Sequence, residues 1–104
     1  MFAQESDREA SAELDRALYL SPYLADAHLL LGRIHLRNGR AREAIDSLKI
    51  SLWSAETAEA HAVLAEAYRQ AKEPDLAREE AERALVLNPS SIEARRLLDV
   101  LKSP

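Results

Sequence analysis

Small and apolar residues return along this chain at the spacing of one helix face. Leu64, Ala65 and Tyr68 mark such a stripe in one segment, and Ala77, Ala81, Ala84 and Leu85 mark another just after Lys72-Glu73-Pro74. Residues three and four apart share a helix face, and small ones there let two axes approach closely. The stripes also recur. Ala10, Leu14, Ala17 and Leu18 return about 34 residues later as Ala44, Leu48, Ser51 and Leu52, then as Ala77, Ala81, Ala84 and Leu85. A second series interleaves with the first: Ala27, Leu31 and Gly32, then Ala60, Leu64 and Ala65, then Ala94, Leu98 and Asp99. Two series with one shared period are the mark of a repeated helix hairpin.

The pattern predicts six helices and no strands. The first is expected over 6–20, with Ser6 and Glu9 as a capping box, and Ser21-Pro22 ends it. A second runs from Tyr23 and stops at Asn38-Gly39, and a third ends near Trp53. The fourth follows Thr57 as N-cap, Pro74 opens the fifth, and Asn88-Pro89-Ser90-Ser91 introduces the sixth. The separation from Ala44 to Leu64 is one residue shorter than from Ala10 to Leu31. A deletion is therefore expected in the turn after Trp53, and Trp53 is expected to fill the space it leaves. Residues 1–104 read as one domain, with a half repeat over 6–20, repeats over 23–53 and 57–87, and a capping helix over 91–102.

The stretch 58–91 resembles a tetratricopeptide repeat through Leu64-Ala65, Tyr68, Ala77, Ala84 and Pro89. His61 stands where that family prefers Trp, and Ala81 where it prefers a larger aromatic. The resemblance implies an all-α, right-handed α-solenoid of stacked antiparallel helix pairs, with a function in binding protein or peptide. It also implies that the first helix of each repeat lines a concave groove.

With the core stripes fixed, helical geometry assigns the adjacent stripe to that groove. It holds Asp26, Leu29, Arg33, Leu36 and Arg37, then Glu59, Ala62, Glu66, Arg69 and Gln70, then Glu93, Arg96 and Val100. Leu29 and Leu36 would anchor a partner, and Arg33, Arg37, Arg69 and Arg96 would orient an acidic segment. Some family members hold a partner's terminal carboxylate in a Lys- and Asn-rich clamp. Here Arg33 and Glu66 occupy the expected asparagine positions. The first helix lacks a preceding partner, so Ala10, Leu14 and Ala17 form a candidate self-association face, with Phe2 folded over part of it. The alternative function is a structural spacer or self-associating segment of a larger protein.

Composition narrows the remaining classes. A net charge of −4 argues against a general nucleic-acid binder. The absence of cysteine excludes disulfides and thiolate metal sites. No apolar run reaches the ~18 residues of a membrane span, and the first five residues do not read as a secretory leader. The two glycines, Gly32 and Gly39, make no phosphate-cradling loop. His28, His35 and His61 are expected to pack between helices rather than hold a metal. Glu79, Glu80 and Glu82 are read as a solvated helix face with Arg78 and Arg83. The chain is accordingly expected to be neither an enzyme nor a cofactor binder.

Overall fold

The computed structural model describes residues 2–102, with side chains from Ser6 onward. Six α-helices follow one another: α1 (Phe2–Leu20), α2 (Ala25–Arg37), α3 (Ala41–Ser54), α4 (Ala58–Gln70), α5 (Pro74–Leu87) and α6 (Ile92–Lys102). The fold is the helical solenoid that the repeat pattern implies. α2 packs most extensively on α3, and α4 on α5, so these are the two hairpins. α3 then packs on α4 and α5 on α6, which stacks one hairpin on the next.

Curvature follows from which helices touch. α2 contacts α4 and α4 contacts α6, whereas α1, α3 and α5 make no comparable contact with one another among the described residues. The α2–α4–α6 layer is therefore the inner wall, and the other three helices form the outer layer.

Each hairpin closes on a small-residue seam. Ala44, Leu48, Ala77, Ala81 and Ala84 are fully buried, and Leu31 and Leu64 are buried opposite them. At the first seam a Cβ on Gly32 would sit 2.6 Å from Leu48 Cγ, so no larger residue fits beside that buried leucine. One period later the same pair of positions holds Ala65 and Ala81, both fully buried. The volume missing from Gly32 is thus supplied by Leu48, and the smaller Ala81 leaves room for the methyl of Ala65.

The turns inside the hairpins are equally matched. Arg40 N–H reaches His35 O at 2.8 Å, and Glu73 N–H reaches Tyr68 O at 2.9 Å, each closing a Schellman-type helix end. The residue inside each closure has positive φ, Gly39 at 72° and Lys72 at 64°. Only glycine takes that conformation without a steric cost, so Lys72 carries a strain of about 1–2 kcal/mol that Gly39 avoids. Between hairpins, Thr57 Oγ1 accepts from Ala60 N–H at 3.1 Å and Ser91 Oγ from Ala94 N–H at 3.3 Å. The connection over 55–57 is one residue shorter than those over 21–24 and 88–91, as the Ala44–Leu64 count requires.

Two local expectations are corrected. α1 begins at Phe2, so Ser6 lies inside the helix and caps nothing. Trp53 does not fill the shortened turn. Its ring stands in solvent and meets Tyr23 edge-on, with centroids 5.3 Å apart. The proposed cover by the Phe2 side chain lies outside the described side chains.

The Gly32–Leu48 seam makes a double-mutant prediction. Gly32→Ala should destabilise by about 1–3 kcal/mol through overpacking, partly offset by ~1 kcal/mol of helix propensity. Leu48→Ala alone should cost about 2–5 kcal/mol. The double variant recreates the Ala65–Ala81 pair and should cost less than the two single changes added together. Denaturant unfolding of the four proteins checks this, and simple additivity would remove the seam argument.

Candidate binding groove

Two adjacent clefts open on the inner wall. One, about 290 Å³, lies between α2 and α4 over a floor of Leu30, Leu36 and Val63, with Arg33 and Arg37 at its rim. The other, about 360 Å³, lies between α4 and α6 over Ala62, Leu97 and Val100, with Arg69 and Arg96 at its rim. Glu66 and Glu93 border both. Each cleft is thus an apolar floor ringed by charge, and two carboxylates divide them.

The wall residues assigned from sequence divide into three groups. Leu36, Arg33, Arg37, Ala62, Glu66, Arg69, Arg96 and Val100 all line one cleft or the other. Leu29 does not. It is half-buried against the cluster of Ala44, Ile45, Leu48, Val63 and Leu64, and the neighbouring Leu30 takes its place on the wall. Successive residues lie ~100° apart around a helix, so a small rotation of α2 exchanges which of two adjacent leucines is covered. The third group, Ala10, Leu14 and Ala17, is half-buried on α1, away from the groove.

The arginines are already engaged. Arg33 Nη2 lies 2.7 Å from Glu59 Oε1 and 3.6 Å from Glu93 Oε1, so one guanidinium spans α2, α4 and α6. Arg37 donates to Asp7 Oδ1 at 2.6 Å, and Asn38 Nδ2 donates to Asp7 Oδ2 at 3.2 Å. Asp7 is buried by that contact, which fastens α1 to the C-terminal end of α2. Arg69 grips both oxygens of Glu66. That hydrogen bond, reinforced by the carboxylate's charge against the cost of burial, raises the Arg69 pKa above its ordinary value. Arg96 has no hydrogen-bond or ion-pair partner among the described residues. Exposed pairs of this kind contribute little stability, about 0–1 kcal/mol each. Their effect is on the wall's charge, which they neutralise from within.

Sequence reasoning missed a buried polar cluster behind the wall. Glu80, expected in water with Glu79 and Glu82, is buried instead. It meets His61 Nδ1 at 2.8 Å and accepts from Arg83 at 3.0 Å. The other ring nitrogen of His61 lies 2.8 Å from Glu56 Oε2 in the shortened turn. Both contacts can be donated together only by the doubly protonated ring. His28, one period earlier, binds its own preceding turn through Nε2 and Pro22 O at 2.8 Å. Its Nδ1 is buried without a hydrogen-bond partner among the described residues, because Ser47 stands where the next repeat has Glu80. The signal that could have found the cluster was positional. Glu80 falls one residue before the core alanine Ala81, on the edge of the seam.

These features define the class as a helical-repeat module with a continuous inner wall. The tetratricopeptide repeat family model matches residues 58–98. A thermophilic TPR protein of Thermus thermophilus superposes with a TM-score of 0.83 at 28% identity, over 94% of this chain and 51% of that one. The first TPR of Spaghetti (RPAP3), bound to the HSP90 peptide SRMEEVD, superposes with a TM-score of 0.86 at 20% identity, over 98% of this chain and 85% of that one. The chain belongs to the tetratricopeptide repeat family. It spans about half the length of the Thermus protein. No curated protein is similar to it in sequence.

Burial separates Glu80 from its neighbours in a measurable way. Glu80→Ala should destabilise by about 1–3 kcal/mol, since it strips His61 of a buried partner. Glu79→Ala and Glu82→Ala, both at exposed positions, should stay within about 0.5 kcal/mol of the parent protein. Thermal unfolding of the three variants distinguishes them, and equal effects would return Glu80 to the solvated face.

Proposed function

We propose that this module is a non-enzymatic binder of an extended protein segment along the α2–α4–α6 wall. The observation that carries the reading is the pair of neighbouring clefts, each with an apolar floor open to solvent. Axes of packed helices lie about 8–10 Å apart. An extended chain rises ~3.3 Å per residue, so side chains about three residues apart could enter successive clefts. The Spaghetti TPR, a fold neighbour, is bound to a peptide, which supports peptide recognition as the use of such a wall. The charge on the partner is the finer question. Since Arg33, Arg37 and Arg69 already hold carboxylates, apolar side chains select first, and Arg96 is where an acidic partner residue would be met.

Peptides selected from a random library on the intact module would test this. Leu30→Asp and Val100→Asp alter exposed positions in separate clefts, so helicity should persist. Each should weaken the selected peptides about tenfold or more, roughly 1.4 kcal/mol. Peptides that bind both variants as well as the parent would place recognition elsewhere.

A specific observation favours self-association as a second reading. Ala10, Leu14 and Ala17 are half-buried, whereas their equivalents Ala44, Leu48 and Ser51, and then Ala77, Ala81 and Ala84, are wholly covered. The outer face of α6 does not supply the missing cover. Asp99 stands where Gly32 and Ala65 admit a neighbouring helix. Pairing would therefore join α1 to α1 around a twofold axis rather than stack copies head to tail. Sedimentation over a range of concentrations should then show a monomer–dimer equilibrium that Leu14→Glu abolishes. Higher polymers would contradict the twofold arrangement, and a monomer throughout would end this reading.

A further inference from the structure

Three of the five aromatic residues are not in the core. Tyr19 is 87% exposed, Trp53 76% and Tyr23 64%. Tyr23 and Trp53 meet edge to face at 61°. Tyr19 stands one turn of chain before Tyr23, across the tight bend that Leu24 N–H closes onto Ser21 O at 3.2 Å. Leu20 and Leu24 flank that bend and Ile50 lies one helical turn before Trp53, all three exposed. These side chains gather at the end of the first hairpin, on turns and on the outer-layer helices α1 and α3. That is a different surface from the inner wall.

A monomer that buries its apolar residues elsewhere has no structural use for this edge. Trp53 in particular leaves the shortened turn unfilled. The three rings alone expose on the order of 400–500 Å², the size at which a patch on a monomer is often functional. A stable pair of folded proteins needs about 800 Å² per partner. The edge is therefore about half of what a second copy would require, and suits a short segment.

Charge narrows the occupant further. Residues 17–25 and 50–55 contain no ionisable group apart from the two tyrosines. An acidic or basic peptide would find nothing here to pair with. The chain's net charge of −4 also opposes docking on an anionic lipid surface. What remains is an uncharged, extended chain that offers flat apolar rings. A polyproline helix has this chemistry. Its residues bring no N–H donors that need partners, and its conformation is set before binding. Aromatic rings crossed at an angle hold prolines between them, and tyrosine hydroxyls can donate to the peptide's bare carbonyls. We propose that the Tyr19–Tyr23–Trp53 edge is a second binding surface, specific for an uncharged proline-rich segment in the polyproline conformation.

The single tryptophan reports on the site directly. Decaproline titrated into the intact protein should shift Trp53 emission to shorter wavelength and shield it from acrylamide. A glycine–serine peptide of equal length should do neither. Tyr23→Ala should weaken the decaproline response about tenfold, and Tyr19→Ser, at the most exposed of the three rings, should weaken it with no change in helicity. Leu30→Asp and Val100→Asp should leave it intact, which separates this surface from the groove. No response up to millimolar decaproline, or an equal response to the glycine–serine peptide, would overturn the proposal. So would a blue shift produced by concentrating the protein alone, which would make a second copy the occupant. A shift seen only with neutral phosphatidylcholine vesicles would assign the edge to lipid instead.

Discussion

The close approach of the two helices in each hairpin is the constraint on which everything else in this molecule depends. It is met by volume complementarity at one pair of positions, Gly32 with Leu48 and then Ala65 with Ala81. Protein interiors are packed too densely to absorb a misplaced methylene, so each pair must be solved locally. With the axes drawn together, α2, α4 and α6 come into mutual contact and the outer helices separate. The wall and its two clefts are consequences of that asymmetry.

Periodicity made the architecture legible because it depends on residue type alone. The six helices, the Thr57 cap, the start of α5 at Pro74 and the missing residue between α3 and α4 could all be counted from the sequence. What could not be counted were choices among adjacent residues and contacts across helices. Leu29 and Leu30 differ by one step around α2, and a wheel drawn from sequence has no reference finer than that step. Glu80 reads as one of several charged residues until His61 and Glu56 are brought to it from other elements. Arg37 meets Asp7 across 30 residues of sequence. A composition that suggested a basic wall therefore described one whose charges are largely cancelled.

That cancellation bears on how such a wall would work. An arginine bound to both Glu59 and Glu93 is held in place, and an incoming carboxylate would have to displace two existing partners. Binding that begins from apolar contact in the clefts needs no such exchange. The network of ion pairs then acts mainly to keep the rim hydrated and the side chains ordered, which lowers the entropy lost on binding. The wall resists occupants of high net charge of either sign more than it attracts one.

Comparing the three copies of one period separates what the stack requires from what it leaves open. Leu31, Leu64 and Leu98 are identical because that position faces the seam or its continuation. Two steps on, Arg33, Glu66 and Val100 are basic, acidic and apolar in turn, and all three line the clefts. Stacking places no demand on this position, since three dissimilar side chains satisfy it equally. Identical side chains there would present the same surface at each step, and a bound chain could slip by one repeat or reverse. Three different ones make each step distinct, so a chain lying along the wall has one favoured register and one favoured direction. The same freedom from packing that lets the position vary lets the wall discriminate.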